Sequence, residues 1–462
     1  MSIKLRINAW SGQPGCSSAL AEDVTTWVNR GIASPARQLM LPDEIDQNDS
    51  KHAEVGWGLI LPDNADLNSA EKATAVDAPE SLQKLLAFRR GVVLRWSKEL
   101  PPDKVLRFYV DGSAQELSIS LSDRGTGKTC IPKYLLLAGT PRELPWALQY
   151  RMSMSAFVGR LSLPEAGLKN YVNAVIGKWE QAKAQPLLPL IWAVDHGGDD
   201  ITVLMRKLLA EKIHRLYDAD TDLRSVFVDG SQSPATNQRL VDALSVHHPG
   251  VVVTTSHGKT GPLDDSSAMA ATMGAPVDSS YATLKPMDLL AAWQPSGAIW
   301  YSHACCSAGC DNQSAYTGLL DQHSGVMEVL DGIAACGAMI APLPQALLGA
   351  KEPLKGFIGQ IEPTFNWTLK DDATGQWLTN PIAKAMHQKL FRSQPLGRVV
   401  HEIHQIATTL AAQFSDAQDR SVTHADPDTR QRNEEKALRL RLVGQDLMSM
   451  VVLGDPAVRI EV

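Results

Sequence analysis

The stretch that decides the fold contains two apolar runs, GVVVTTS (250–256) and AIWYSHA (298–304), each followed by small and reactive residues. Neither run shows the strict polar alternation of a half-exposed strand, and both are typical of strands buried on both faces of a sheet. Runs of the same kind occur elsewhere in the chain, at YLLLAG (134–139), LPLIWAVD (188–195), SVFVD (225–229) and AMIAP (338–342). We therefore predict a series of buried strands from residue 134 onward.

Stretches with apolar residues at helical spacing separate these runs. They cover residues 163–182, 199–218, 236–248 and 324–337. Buried strands that alternate with amphipathic helices predict an α/β fold with a mostly parallel central sheet covered by helices on both faces. Reactive groups in such sheets lie just beyond the carboxyl ends of the strands. The residues that follow each run are therefore the candidates for function.

The composition excludes several classes of protein. The chain has 462 residues, a net charge of −7 and 44% apolar residues. These values do not fit a disordered chain, and the mild acidity argues against a nucleic-acid-binding protein. The sequence has no apolar run of the length of a signal peptide or a membrane span, and its six cysteines are too few for a disulfide scaffold. We expect a cytoplasmic protein that binds neither nucleic acid nor membranes.

Three residues at two strand ends form the candidate chemical centre. His257 and Gly258 follow the first run, and Cys305 follows the second. A cysteine nucleophile needs a base or a proton donor nearby, since its free thiol is mostly protonated at neutral pH. Neighbouring parallel strands would bring His257 and Cys305 to one edge of the sheet. Because glycine permits a close backbone approach, the N–H groups of Gly258 and Cys305 are expected to form an oxyanion hole.

Other assignments of these residues remain open. Cys306 competes with Cys305 as the nucleophile, and His196, which also follows a predicted strand, competes with His257 as the base. Either cysteine is alternatively a buried packing residue, since free cysteines are commonly buried.

Two further motifs point to bound groups only weakly. Zinc ligands are possible in the cluster His303, Cys305, Cys306 and Cys310, but the sequence lacks the second pair of ligands that structural zinc normally needs. The string GTGKT (125–129) resembles a phosphate loop, but Ser122 stands where its first glycine belongs. We expect neither a metal nor a cofactor, and a simple turn at 125–129.

The ordered motifs resemble the caspase-like cysteine peptidases, which include gingipains and CHAT-type proteases. In that group a strand ending in His-Gly precedes a strand ending in Ala-Cys by about 50 residues, as SHG (256–258) and HACCSAG (303–309) do here. Other segments are similar to the gingipain branch: IPKYLLLAGTPRELPWALQY (131–150), FVGRLSL (157–163), GFIGQIEPTFNWT (356–368) and VVLGDPAVRIEV (451–462). The resemblance implies a caspase-like α/β/α sandwich and a cysteine endopeptidase with a His257/Cys305 dyad.

The resemblance also suggests where a substrate side chain would bind. In relatives that cleave after Arg or Lys, an acidic residue near the end of the first strand lines the specificity pocket. Asp195 and Asp199 occupy that neighbourhood here, and Glu362 and Trp367 lie in the later Gly-rich segment. Asp199 and Asp200 are alternatively helix caps. A preference for a basic residue before the cleaved bond is therefore an expectation.

Regulation and function class are likewise expectations from the resemblance. Similar proteases imply a zymogen or a partner-gated enzyme, in a bacterial defence or regulated-death pathway, with an activating protease or partner besides the protein substrate. The segments 259–296 and 416–436 are candidates for a cleavable or exposed region. The alternatives are an inactive caspase-like interaction module and a transferase that uses the same dyad.

The sequence predicts two regions of different character. Residues 80–99 have helical spacing and residues 107–121 indicate a hairpin around Asp-Gly, but nothing before residue 130 matches a known motif. The predicted regions are an N-terminal α+β region, 1–129, of unknown role, and a catalytic region, 130–462, divided into 130–185 and the catalytic sheet 186–462.

Overall fold

The computed structural model describes the chain from residue 45 to residue 461, apart from residues 321–322, 372–373 and 425, and also two short strands near the start. These strands, β1 (Lys4–Arg6) and β2 (Ser17–Ala19), pair antiparallel. They lie in a unit of residues 1–44, whereas Ile45–Val462 forms a second compact unit that holds all the predicted functional residues.

A mixed sheet of twelve strands organises the described part of the second unit. The strands of this unit, in chain order, are β3 (Trp57–Pro62), β4 (Val92–Trp96), β5 (Lys104–Phe108), β6 (Ala114–Ser118), β7 (Tyr134–Ala138), β8 (Phe157–Leu161), β9 (Gln185–Ala193), β10 (Val226–Asp229), β11 (Pro249–Thr255), β12 (His257–Gly258), β13 (Pro276–Val277), β14 (Ile299–His303), β15 (Gly309–Cys310), β16 (Met339–Ile340), β17 (Gly356–Gln360) and β18 (Met450–Leu453). The order across the large sheet is β10-β9-β11-β14-β17-β18-β8-β7-β3-β4-β5-β6, and β12/β13 and β15/β16 form separate two-stranded pairs.

The large sheet consists of two parallel blocks that run in opposite directions. The N-terminal block contains β3, β4, β7 and β8, and the C-terminal block contains β9, β10, β11, β14 and β17. Strand β18 joins them, since it pairs antiparallel with β17 and parallel with β8. The carboxyl ends of the two blocks therefore lie at opposite edges of the sheet.

Helices flank the sheet, and the predicted α/β class with an α/β/α sandwich is confirmed. The helices are α1 (Ser69–Thr74), α2 (Glu80–Arg89), α3 (Trp146–Ser153), α4 (Glu165–Ile176), α5 (Ile201–Met205), α6 (Glu211–Asp218), α7 (Asn237–His247), α8 (Ser266–Thr272), α9 (Pro286–Ala292), α10 (Gly325–Ala334), α11 (Pro342–Leu348), α12 (Asn380–Lys384), α13 (Leu396–Thr423) and α14 (Pro427–Met448). Side chains of Asp200, Thr236 and Asp265 cap the N-termini of α5, α7 and α8, as expected for residues that satisfy free N–H groups. Strands β11, β14 and β17 of the C-terminal block are buried along their whole length, which explains their continuous apolar runs.

Two local predictions need correction, and one segment that was expected to be exposed proves to be helical. The run at 338–342 forms only the two-residue strand β16, which pairs with β15 outside the large sheet. The predicted helix at 80–99 ends at Arg89, because Arg90 adopts a left-handed conformation and the β-branched run after Gly91 forms β4. The charged segment 416–436 is largely helical, since it contains the end of α13 and the start of α14.

The part of the predicted N-terminal region that follows residue 44 belongs to the same sheet as the rest of its unit. Strands β3 to β6 precede residue 129 and extend the sheet beyond β7, and β5 and β6 form the predicted antiparallel hairpin. The compact unit begins at Ile45. The predicted boundary at 129 therefore falls inside one continuous sheet.

Candidate active site

The register of two neighbouring strands brings His257 and Cys305 to the same edge of the C-terminal block. Strands β11 and β14 are parallel, and Thr255 pairs with His303 as their last registered residues. His257 and Cys305 each follow two residues later, so their backbones leave the sheet side by side. The predicted juxtaposition of these two strand ends is thus present in the structure.

Gly258 packs directly against the backbone of Cys305. A Cβ atom at Gly258 would lie 1.9 Å from the Cys305 carbonyl oxygen, so the position accepts only glycine without a backbone shift. The Gly258 N–H lies close enough to the Cys305 thiol to lower its pKa. A backbone donor is therefore near the sulfur that would react.

Asp200 orients the imidazole of His257. His257 Nε2 lies 2.9 Å from Asp200 Oδ2, and both side chains are about one third exposed or less. Asp200 Oδ1 also accepts from the backbone N–H of Thr202 at 2.8 Å and from its Oγ1 at 2.6 Å, which fixes the carboxylate at the start of α5. Burial raises the pKa of Asp200, but the hydrogen bonds from Thr202 and His257 outweigh it and leave the pKa below its ordinary value.

Sequence reasoning placed Asp200 only as a helix cap, and the structure gives it both roles. The available signal was its position, because a cap at the first helix after β9 lies at the same edge as the ends of β11 and β14. A capping aspartate and a histidine-orienting aspartate cannot be distinguished from the sequence pattern alone.

His196 stands beside the dyad in a stack of rings. Its ring is stacked on Tyr281 at a centroid distance of 4.2 Å and on His257 at 5.5 Å. Burial lowers the pKa of His196, and so does the neighbouring His257, although Asp200 raises it. Of the two histidines, His257 is the one whose ring is hydrogen-bonded to Asp200.

The Cys305 thiol is partly covered by Thr364. The Thr364 N–H lies 3.4 Å from Sγ, and the carbonyl oxygen and the hydroxyl of Thr364 each lie 3.9 Å from it. Burial raises the pKa of Cys305, against the opposing effect of the hydrogen bonds from Thr364 and Gly258. The side chain is therefore a neutral thiol at neutral pH in this conformation.

Cys306 and Cys310 lie in a different environment. Both are buried in an apolar cluster with Met269, Met273 and Ile333. Cys306 has a φ of +53°, so the chain turns sharply after Cys305 and directs the next side chain into this cluster. Burial raises the pKa of both thiols. Of the two adjacent cysteines, Cys305 is the one that reaches the strand-end site.

The residues of the zinc alternative do not converge as ligands. Within residues 45–461 as far as the structure describes them, no three His, Cys, Asp or Glu side chains are placed to hold a metal ion. His303 is buried and its Nδ1 lies 2.9 Å from the Tyr301 hydroxyl, and burial lowers its pKa to about 4.

The loop GTGKT serves a structural purpose in the N-terminal block. The carbonyl groups of Thr126 and Gly127 accept hydrogen bonds from the Arg107 guanidinium, and Lys128 pairs with Asp111 at 3.1 Å. These contacts correspond to the predicted turn.

Three of the four residues proposed for a specificity pocket have partners of their own. Asp195 is paired with Arg206 at 2.7 Å, and Asp199 is exposed. The Glu362 carboxylate is buried and accepts from the Ala315 N–H at 3.0 Å and the Ser314 hydroxyl at 3.2 Å. Trp367 stacks on Phe365 at 4.1 Å. Asp199 is the carboxylate among them that is free of a strong partner and open to solvent.

Two buried carboxyl groups lie behind the site. Asp446, on α14, accepts from the Thr368 hydroxyl at 2.8 Å and the Phe365 N–H at 3.3 Å. Burial raises the pKa of Asp446 to about 7 and that of Glu362 to about 7. Asp446 could not be identified from the sequence, because it occupies one position in a long, highly charged helix.

No helix in the described residues combines the length and the apolar character needed to cross a membrane. Comparisons with protein-family models, with curated proteins and with solved structures found no match to this chain.

Proposed function

We propose that the chain is a caspase-like cysteine endopeptidase in which Cys305 is the nucleophile and His257 transfers the proton. The observation that carries this proposal is the grouping at one sheet edge of a partly exposed cysteine, a glycine packed against its backbone and a histidine held by Asp200. These are the nucleophile, the oxyanion donor and the oriented base that acyl transfer requires.

The arrangement suggests a definite sequence of proton transfers. With Nε2–H donated to Asp200, the neutral imidazole of His257 keeps its lone pair on Nδ1, which accepts the thiol proton. Sγ of Cys305 then bonds to the scissile carbonyl carbon, and the N–H groups of Gly258 and Cys305 stabilise the oxyanion. His257 returns the proton to the leaving amine. Water then hydrolyses the thioester and restores the thiol.

The state of the thiol supports regulation of the proposed enzyme. Thr364 contacts Sγ from three of its atoms, and the thiol is neutral. We infer that this conformation is latent and that cleavage or a partner displaces the segment containing Thr364. A reducing cytoplasm would keep Cys305 usable, and the resemblance to regulated bacterial proteases favours a defence or cell-death role.

A basic residue before the cleaved bond remains the proposed preference. Asp199 is exposed near the site-facing start of α5, and so is free to meet a lysine or arginine side chain. Asp195 is already neutralised by Arg206, and Glu362 is buried with a pKa raised by burial to about 7. Asp199 is therefore the acidic residue that best supports this preference.

The proposal is tested by reaction with a peptide electrophile and by a peptide-library cleavage profile. The wild-type chain should form a covalent adduct at Cys305 and cleave a defined set of peptides after limited proteolysis, and should react more slowly before it. Cys305→Ala should lose both, whereas Cys306→Ala, as the matched neighbouring change, should keep both. Activity that survives in Cys305→Ala and disappears in Cys306→Ala would show that the nucleophile is Cys306 and not Cys305.

An inactive interaction module is the second candidate, and the covered, neutral thiol is the observation that favours it. It predicts no adduct and no cleavage in any preparation, including proteolysed protein. A transferase would instead pass the acyl group to an acceptor amine. In isotopically labelled water, its product would then carry no label from the solvent.

A further inference from the structure

A large apolar cavity lies between the two long C-terminal helices and the segment 376–381. Its volume is about 770 Å³, within the range of pockets that bind small organic molecules. Apolar side chains form most of its wall: Trp377, Leu378, Pro381, Ile406, Leu410, Leu440, Val443 and Leu447. A cavity of this size and polarity suits an apolar group.

One side of the cavity mouth carries positive charge. Arg432 and Lys436 on α14 are exposed at the rim, and Arg439 is already paired with Asp371. Glu435 also lies at the rim, so the exposed basic pair exceeds the acidic charge there. An occupant with an apolar body and one anionic end matches this distribution of charge.

The length of the cavity indicates the kind of apolar body. From Lys436 to Leu447 the lining of α14 covers about 16 Å, at a rise of about 1.5 Å per residue. A bilayer core of about 30 Å is two acyl chains thick, so one extended acyl chain covers about 15 Å. An acyl chain with its anionic head at Arg432 and Lys436 therefore reaches the inner end at Leu447.

A short series of contacts connects this cavity to the Cys305 thiol. Val443 and Leu447 line the cavity on α14, and Asp446 lies between them in the sequence. Asp446 holds the segment 365–368 through the Phe365 N–H and the Thr368 hydroxyl. Thr364, the residue immediately before that segment, covers Sγ of Cys305. These contacts offer a physical route by which a movement of α14 would reach the cover of the thiol.

We propose that this cavity binds a long acyl chain with an anionic head group and that its occupation uncovers Cys305. The regulatory part rests on the proposed peptidase function, whereas the binding part stands independently of it. A free fatty acid and an acidic phospholipid both have this chemistry.

Binding is tested by calorimetry on the full chain with sodium laurate below its micelle concentration. Laurate should bind with one site, and both dodecanol and dodecyltrimethylammonium should bind at least about tenfold more weakly, because they lack the anionic head. Arg432→Glu combined with Lys436→Glu should weaken laurate binding to a similar extent. Arg430→Glu, an exposed charge reversal on the same helix away from the cavity, should leave it unchanged. Absence of laurate binding, or equal binding of the three probes, would overturn the proposal.

A second variant and a vesicle experiment identify the cavity and the source of the chain. Leu410→Trp should narrow the cavity in the path of the acyl chain and weaken laurate binding at least about tenfold, while the circular dichroism spectrum is retained. Vesicles of phosphatidylglycerol that bind the wild type but not Leu410→Trp would indicate a phospholipid, and binding of laurate alone would indicate a free fatty acid. Laurate binding that persists unchanged in folded Leu410→Trp would contradict the site. The proposal would also be wrong if the wild-type chain bound an acidic amphipathic peptide but did not bind laurate.

The coupling is measured as the rate of Cys305 alkylation by iodoacetamide, located by peptide mass mapping. Saturating laurate should raise this rate about tenfold, within the usual range of coupling between sites. Cys130, which is partly exposed in the N-terminal block, is the internal control and should not change. An unchanged Cys305 rate with laurate bound overturns the coupling but not the site. Failure of the peptidase proposal is recognised separately, by the absence of peptide cleavage at a reactive thiol.

Discussion

The two blocks of the sheet present similar backbone geometry at their carboxyl ends and very different chemistry. At the ends of β3, β7 and β8 a cavity of about 520 Å³ is lined by Asp63, Asp77 and Glu143. Asp63 is paired with Lys72 at 2.8 Å, and Asp77 is paired with the buried Arg95 at 2.7 Å. Charges at this edge are thus neutralised within the fold.

The carboxyl edge of the C-terminal block keeps its polar groups available. Asp200 is bonded to a histidine that is itself one third exposed, and the neighbouring thiol is partly exposed. Glu143, by comparison, accepts hydrogen bonds from the Thr140 hydroxyl and N–H in its own loop. A parallel sheet offers an edge for chemistry, but the partners of the strand-end residues decide whether that edge can react.

The largest expected difference between the two edges comes from a methyl group added at a strand end. In Gly258→Ala the new Cβ would lie 1.9 Å from the Cys305 carbonyl oxygen, so the oxyanion donor and the nucleophile must both shift. We expect kcat/KM on the library-selected peptide to fall about 100-fold or more, the usual loss for one oxyanion donor.

Gly139→Ala, at the end of β7, is the matched control for this change. Its Cβ would meet only side-chain atoms, of Leu144 at 3.2 Å and Glu143 at 3.4 Å, which can move. The kcat/KM of Gly139→Ala should stay within about twofold of wild type, because the change lies far from the reacting groups. Equal loss in the two variants would mean that the edges do not differ in function.

An intermediate effect is expected when a carboxylate is neutralised at each edge. Asp200→Asn keeps a good helix cap but loses the charge that holds His257, so kcat/KM should fall about 10- to 100-fold with little loss of stability. Asp77→Asn leaves the buried Arg95 without its charged partner and should destabilise the fold by about 3 kcal/mol at unchanged kcat/KM. Steady-state kinetics on both variants should show the loss of kcat/KM only in Asp200→Asn, and urea denaturation should show the loss of stability mainly in Asp77→Asn.

A different result would reassign these residues. If Asp200→Asn has normal kcat/KM and lowered stability, Asp200 acts only as the helix cap of α5 and does not position His257. Rescue of the rate by Asp200→Glu, which restores the carboxylate, would support the positioning role.

The sequence predicted the part of the site that depends on local patterns. The runs before His257 and Cys305 identified β11 and β14, and parallel pairing then required their ends to meet. Asp446 and Thr364 could not be found in this way, because their contacts with the segment 365–368 and with Cys305 depend on how α14 packs against the chain after β17. Contacts between residues distant in sequence leave no periodic signal.

The N-terminal block was missed for a related reason. Strand β3 follows a polar, Asn- and Asp-rich stretch, and β4 follows α2 with only Arg90 and Gly91 between them. Helical spacing across 80–99 concealed the left-handed turn at Arg90, a conformation that the sequence does not mark when the residue is not glycine.

The smallest expected difference is in the pH dependence of stability. Burial raises the pKa of Asp446 to about 7 and that of Glu362 to about 7, above the ordinary values of these carboxyl groups. Their contribution to stability is therefore full below the unfolded-state pKa of about 4 and is lost as the pH rises towards about 7. In the N-terminal block, the hydrogen bonds from Arg95 lower the pKa of Asp77, so its contribution is lost instead as the pH falls below about 4.

Each variant should thus remove a different part of the stability profile, measured by urea denaturation from acid to neutral pH. Asp446→Asn keeps acceptors for the Phe365 N–H and the Thr368 hydroxyl and should flatten the decline between about pH 4 and pH 7, where each unit of pKa difference corresponds to about 1.4 kcal/mol. Asp77→Asn should leave that decline in place and flatten only the acid side. If Asp446→Asn keeps the full decline, the buried carboxyl behind Cys305 is not the group that titrates, and Glu362→Gln becomes the variant that must flatten it. If neither variant changes the slope of the unfolding free energy against pH, the raised pKa predicted for Asp446 and Glu362 is wrong. The two edges would then not differ in the protonation of their carboxyl groups.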